Sequence, residues 1–454
     1  MQSSVGLSFP PGFQWGAATA AFQVEGSVDA DGRTDSIWDT LCRVPGAVVN
    51  GDTGEPGADH YRRYRSDVDL MKALGLNAYR LSTAWPRVRP DGGAENARGL
   101  DFYERLVDSL LDSGITPWIT LYHWDLPQAL EDKGGWTNRD TAYRFAEYTA
   151  SVLERLGDRV HNWITLNEPW CSAFLGYALG KHAPARTEPR ATVAAVHHLM
   201  LAHGLAMDVI RSAAAQAQAG ITLNLFPVVP VEAKDSDIAR RVDGLQNRVF
   251  LDPVLHGRYP ADVLEDLAPY GFADHIADGD LAVIGRPVDF LGVNYYRDIY
   301  VTDSGVPVTG PTEWIGAETA RFPARGLPRT DMGWEVVPGG LTDLLMSLHQ
   351  QRSDLPIYIT ENGAAYVDEL IGDQVEDSDR VEFLDSHLRA VHAAIAQGVD
   401  VRGYFCWSLL DNFEWAEGYA KRFGIVHVDY PTQRRTPKSS ARWYAQVIAD
   451  HGLR

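Results

Sequence analysis

Two glutamates, each closing a short apolar run, carry the most chemical potential in this chain: Glu168 in TLNEPW (165–170) and Glu361 in ITENGA (359–364). A glutamate after a strand is usually an ordinary surface acid. Two that converge on one site, about 5 Å apart, can divide the cleavage of an acetal between them. One stays protonated and gives its proton to the departing oxygen. The other is ionised and attacks carbon, and water then resolves the covalent intermediate with the first group acting as base. The residues that end the other apolar runs fit such a site. Gln23 and Glu25 follow the first run, His123 and Trp124 the third, Asn167 the fourth, and Asn294, Tyr295 and Tyr296 the sixth. The last run ends at Trp407, with Glu414 and Trp415 shortly after. Carboxylates, carboxamides, one imidazole and indoles around a single cup can hydrogen-bond vicinal hydroxyls above an aromatic platform.

The elements that must place these groups are legible as strands over 13–20, 77–83, 116–122, 162–167, 220–226, 289–295, 356–360 and 401–408. Several are near-continuous apolar runs, as parallel strands covered on both faces require. Between them lie amphipathic helices. Over 100–113, Leu100, Tyr103, Leu106, Val107, Leu110 and Leu111 share one face, with Gly114 as a stop. Over 379–397, Val381, Leu384, Leu388, Val391 and Ile395 recur at three and four before Gly398, and a helix over 66–74 ends at Gly75. Alternating strands and helices predict an α/β fold, a single (β/α)8 TIM barrel domain over 1–454 with long βα loops over its C-terminal face. A doubly wound open sheet competes. No GxGxxG follows the first strand, where a dinucleotide site needs it. Two long loops are expected, over 31–59 and 303–330, the second over the barrel mouth. Tyr295 and Tyr296 point to opposite faces, so only one can line the cup, and Tyr296 is the expected one.

With 41 basic and 61 acidic residues, the net charge of −20 argues against nucleic acid and anionic membrane as partners. No apolar run approaches the length of a membrane span, and residues 1–13 carry neither a basic nor an apolar leader region, so a cytoplasmic enzyme is expected. The three cysteines Cys42, Cys171 and Cys406 are far apart, which predicts reduced, buried thiols. His197, His198 and His203 lack metal-ligand spacing, so no metal is expected there, and Arg62, Arg63 and Arg65 read as a solvated face. No cofactor is implied, because carboxyls supply the chemistry. The expected partner is a small-molecule substrate, and a homo-oligomer is left open.

TLNEPW and ITENGA resemble the two catalytic signatures of glycoside hydrolase family 1. FQWGAATAAFQVEG (13–26), YHWDLPQAL (122–130), LGVNYY (291–296) and CWSLLDNFEWAEGYAKRFGIVHVDY (406–430) resemble it too, in order from residue 9 to about 440. The resemblance implies a retaining β-glucosidase acting on β-glucosides and cello-oligosaccharides, with Glu168 as acid/base and Glu361 as nucleophile. It implies Gln23, His123, Asn167, Glu414 and Trp415 as sugar ligands and Trp407 as platform. Asn167 would donate to the 2-hydroxyl. Arg80, in NAYRLS, and Tyr296 would orient the nucleophile, with Arg80 keeping it ionised. Trp124, Asn294 and Phe423 are further substrate-binding candidates, and Trp334 joins the 303–330 loop on the leaving-group side. A carboxylate at Glu414 accepts from the 4- and 6-hydroxyls of a neutral sugar and repels a 6-phosphate. A 6-phospho-β-glycosidase is therefore the less favoured alternative. An inactive sugar-binding protein is less favoured still, since both glutamates are present. Side activity on galactosides and fucosides, and transglycosylation, are expected.

Overall fold

The computed structural model describes residues 6–454, so part of the leader-region reading, at residues 1–5, lies outside the described residues. Each apolar run forms a strand: β1 Gln14–Ala18, β2 Ala78–Ser82, β3 Thr116–Tyr122, β4 Asn162–Asn167, β5 Gln218–Asn224, β6 Phe290–Asn294, β7 Ile357–Asn362 and β8 Val401–Trp407. They pair in parallel in chain order, and β8 closes on β1 with Gly403 opposite Gln14 and Trp407 opposite Ala18. This closed barrel is the predicted fold. Helices follow the strands: α1 His60–Ala73, α2 Ala97–Asp112, α3 Asp140–Leu156, α4 Pro189–Ala213, α5 Val249–His256, α6 Pro338–Gln351, α7 Ser378–Ala396 and α8 Ser439–Asp450. Gly75, Gly114 and Gly398 stand just past α1, α2 and α7 with φ of 76°, 74° and 97°, a left-handed turn that a side chain would strain.

Two strands depart from a regular ladder where the chemistry sits. The pairing of β4 with β5 slips between Ile164 and Asn167, and that of β7 with β6 slips between Ile359 and Glu361. An extra residue at such a slip re-aims the side chains that follow. The seventh strand therefore runs on to Asn362 instead of ending at residue 360.

The long loops are more ordered than expected. Segment 31–59 contains a helix, Ile37–Cys42, capped reciprocally by Ser36 and Asp39. Segment 303–330 is stapled by Ala320–Arg321, which pairs antiparallel with Ile299–Asp303, itself parallel to Val228–Pro230. Helix α4 corrects the membrane reading in part. It is long and apolar enough to cross a membrane by length and composition, yet 83% of its most apolar window is buried inside the fold.

The expectations for the cysteines and for the arginine face hold. Cys42, Cys171 and Cys406 are free and buried. Arg62, Arg63 and Arg65 are exposed. His197 bonds Asp280 and Tyr259, His198 donates to the Trp136 carbonyl, and His203 bonds Thr165. Among the described residues no cluster of His, Cys, Asp or Glu could hold a metal.

The segment after β8, which carries Glu414, Trp415 and Phe423, is anchored from behind by a buried ion network. Asp411 bonds Lys438 at 2.8 Å and Arg422 at 2.6 Å, and Arg380 bonds Asp368 at 2.9 Å. Asp377 pairs with Arg380, and Asp368 with Lys438. At the end of β7, Gly363 lies against the Trp407 carbonyl, where a Cβ would come within 1.7 Å of the oxygen. Only glycine lets the Glu361 strand and the Trp407 platform approach this closely.

Candidate active site

At the C-terminal mouth of the barrel a cavity of about 350 Å³ is lined by Glu168, Glu361, Glu414, His123, Trp124, Tyr296, Trp334, Trp407, Trp415 and Phe423. Both catalytic candidates are buried in its floor, 6% and 3% exposed, so the cavity is their contact with solvent.

Glu361 is gripped from two sides. Arg80, on β2, donates through Nη1 to its Oε1 at 2.5 Å, and the Tyr296 hydroxyl donates to its Oε2 at 2.6 Å. Arg80 also donates to Thr120 Oγ1, to the Thr360 carbonyl and, through Nη2, to Asn167 Oδ1 at 2.6 Å. That last bond sets the Asn167 amide, whose Nδ2 then points at His123 Nε2, 3.0 Å away. An amide nitrogen only donates, so Nε2 accepts and His123 carries its proton on Nδ1, which has no protein partner. Burial and the Arg80 charge hold the imidazole pKa well below its usual range, so the ring is neutral.

Glu168 has a different setting. Asn294 Nδ2 donates to its Oε1 at 2.5 Å and the Cys171 thiol to its Oε2 at 3.1 Å, with no cation in contact. Asn294 is itself oriented by Thr360, whose hydroxyl donates to Oδ1 at 2.8 Å. Gln23, fully buried, donates to the Phe413 carbonyl at 2.8 Å and to Glu414 at 3.5 Å, and its Oε1 has no partner. Trp407 stacks on His123 at 5.8 Å and Trp415 on Phe22 at 6.2 Å, while Trp334 packs Tyr296 at 5.4 Å. Three cup residues, Trp124, Glu168 and Trp415, take positive φ of 78°, 46° and 50°. Such backbone costs on the order of 1–3 kcal/mol per residue and persists only where the surroundings enforce it.

The chain and its fold have known relatives. The profile of glycosyl hydrolase family 1 matches residues 6–453. The chain belongs to that family. It is 52% identical to a thermostable β-glucosidase B of Thermobispora bispora, over 99% of this chain and 92% of the relative. It is 46% identical to a bifunctional β-D-glucosidase/β-D-fucosidase of Bifidobacterium breve, over 99% and 100%. The crystal structure of a psychrophilic β-glucosidase from Micrococcus antarcticus superimposes with a TM-score of 0.95 at 55% identity, covering 98% of each chain. A β-glucosidase from Thermotoga maritima in complex with noeuromycin gives 0.93 at 44%, covering 99% and 100%.

The electrostatics separate the two glutamates of this family 1 glycosidase. Burial and the neighbouring Glu361 charge push the Glu168 pKa up to about 8. Burial raises Glu361 as well, but Arg80 and the Tyr296 hydroxyl pull it back, so the pair shares one proton with Glu168 as its holder. Burial beside both glutamates lifts Glu414 to about 8 also. Glu414 therefore holds a proton more readily than an ordinary carboxylic acid does.

Two consequences are measurable. The active protonation state is lost as pH rises through about 8, so kcat/KM falls on an alkaline limb there. Both groups have folded pKa values above the ordinary 4.5, so their contribution to stability is fully present below about 4.5 and fades as pH climbs towards 8. Melting curves from pH 5 to 8 should fall less steeply for Glu168→Gln than for the parent; identical slopes would refute the shift.

Of the residues singled out from the sequence, Glu25 alone is misplaced. It turns away from the cup to pair with Arg87 at 2.9 Å and accept from Tyr103 at 2.6 Å. Gln23, Arg80, Asn167 and Asn294 stand just behind the cavity wall in the bonds described. Tyr295 points outward and donates to the Val337 carbonyl, leaving Tyr296 in the cup. Cavity residues not anticipated include Trp170, Cys171, His182, Asn224, Arg297 and Met332. Asn224 was within reach of strand-end reasoning, since it closes β5. Trp170 and Cys171 lie in the helical turn and helix that follow Glu168, and His182, Arg297 and Met332 sit on loops whose course only the folded chain reveals.

Proposed function

We propose that this chain, acting as one catalytic domain, is a retaining β-glucosidase releasing terminal non-reducing β-D-glucosyl residues from β-glucosides and short oligosaccharides. The observation that carries the reading is the unequal setting of the two buried carboxyls: Arg80 and Tyr296 grip Glu361, while Glu168 keeps a proton at neutral pH. A gripped carboxyl and a proton-holding one in the floor of a single cavity supply the nucleophile and the acid that double displacement requires.

Glu361 attacks the anomeric carbon while Glu168 protonates the leaving oxygen. Once Glu361 is esterified its charge is gone, and with it a main cause of the high Glu168 pKa, so Glu168 can accept a proton from water. The His123 Nδ1–H, the Gln23 Oε1 and the Glu414 carboxyl offer both donors and acceptors to sugar hydroxyls over the Trp407 ring. A neutral sugar suits this cup better than a phosphorylated one, because Glu414 would meet a 6-phosphate. The bifunctional relative from Bifidobacterium breve supports some tolerance towards fucosides. Sugar acceptors that compete with water at the glycosyl-enzyme would give transglycosylation.

NMR of an early reaction mixture with an aryl β-glucoside tests the mechanism: the first-formed sugar should be the β-anomer. An initial α-anomer would rule double displacement out. Turnover of 6-phosphorylated glycosides alone would overturn the substrate reading.

A further inference from the structure

The cavity wall holds one cation with no acidic partner. Of the two long cations lining the cavity, Lys181 is held by Glu417 at 3.0 Å. Arg297, just past β6, makes neither an ion pair nor a hydrogen bond with any described residue. Its close neighbour is the Trp334 ring, with the guanidinium carbon 5.7 Å from the ring centre. The nearby acids are committed elsewhere. Asp298 accepts from Arg325 at 2.7 Å, and Glu335 pairs with Arg325 at 2.9 Å. Glu313 shares the cavity wall and attracts Arg297 electrostatically, yet stands beyond ion-pairing distance. Arg297 is half-buried and also borders a second hollow of about 170 Å³.

An unpaired guanidinium this far from bulk water is costly unless something compensates it. Burial lowers its pKa accordingly, against the pull of Glu313 and Asp298, though an arginine stays charged. Its planar fork matches a carboxylate, and the indoles of Trp334 and Trp170 line the same cavity to cover a ring. The cup floor, by contrast, holds Glu361 beside Glu168 and Glu414, and its one neighbouring cation, Arg80, is already engaged by Glu361, so a deeper anion finds no free positive partner among the described residues.

We propose that Arg297 is a specificity residue for the leaving group, selecting β-glucosides whose aromatic aglycone bears a carboxylate. This rests on the glucosidase reading above and names its leaving-group class. Arg297 does not touch the reacting atoms; it positions the aglycone.

The test compares 4-carboxyphenyl with 4-carbamoylphenyl β-glucoside on the parent and on Arg297→Gln, Arg297→Lys and Glu313→Gln. Arg297→Gln should lower kcat/KM for the carboxylate substrate about tenfold more than for the carboxamide, mainly through KM, as expected for a lost charged hydrogen bond. Arg297→Lys should restore part of that difference, and it serves if the glutamine variant does not fold. Glu313→Gln should move the preference the other way, towards the carboxylate. Equal losses on both substrates would overturn the proposal, as would matching effects of Arg297→Gln and Glu313→Gln, which would make Arg297 a structural partner of Glu313. Should the parent turn over neither substrate, the glucosidase reading fails instead. Calorimetric binding of the same two glucosides to parent and Arg297→Gln then decides the anion site alone.

Discussion

Replacing Glu361 by Gln is expected to reduce kcat on an aryl β-glucoside by about 10⁴-fold or more, as removal of a covalent nucleophile does. The amide oxygen can still accept from Arg80 and its nitrogen can donate to the Tyr296 hydroxyl, in the same volume, so the cup keeps its shape. It cannot attack carbon. It also leaves the Arg80 guanidinium, 1% exposed, facing a neutral group, which costs stability because a buried charge has lost its partner. The Glu168 pKa should fall, since the charge that raised it is removed. Steady-state kinetics beside a melting curve separate these effects: a folded variant with a lower melting temperature and almost no turnover is the expected result. A folded variant keeping more than about 1% of the parent rate would sink the assignment of Glu361.

The second large effect depends on the substrate. Glu168→Ala removes the proton donor, and a leaving group that departs as a stable phenolate does not need one. Glycosides of alcohols and sugars do. The variant should lose about 10²–10⁴-fold in kcat/KM on cellobiose or alkyl glucosides, and far less on activated aryl glucosides. With activated substrates the glycosyl-enzyme should accumulate, because the base that draws a proton from water is missing too. A burst of phenol release followed by a slow steady rate is its kinetic sign. The alkaline limb near pH 8 should weaken for the activated substrates, since Glu168 no longer titrates. Equal losses across leaving groups would argue that Glu168 only shapes the cup.

Much of the architecture is readable in the sequence. Several of the eight strands are near-continuous apolar runs, and this pattern survives in sequence because each strand is covered on both faces. Helix ends were marked by Gly75, Gly114 and Gly398, since a left-handed residue is a local requirement. The end of β7 was not readable. Its slip between Ile359 and Glu361 is imposed by pairing with β6, and no local signal encodes it. Glu25 illustrates the same limit. It lies two residues after Gln23, but the short helix Ala21–Val24 turns its carboxyl out towards Arg87 while Gln23 stays behind the cup. Segments 31–59 and 303–330 looked structureless because their order comes from a capped short helix and from pairing with a distant strand.

The sequence by itself determined the barrel, the family likeness and part of the cup's lining, because strand-end position and short motifs are local properties. Only the tertiary structure decided how those residues behave. Protonation depends on burial and on charges brought together from β2, β4, β7 and the segment after β8, so the raised pKa of Glu414 and the unequal settings of Glu168 and Glu361 exist only in the folded cup. The orientation of Asn167 and the tautomer of His123 follow from one arginine reaching across the barrel. Arg297 was one charged residue among many in the sequence. That it lacks a partner is a fact about distances between segments far apart in the chain, which folding alone fixes.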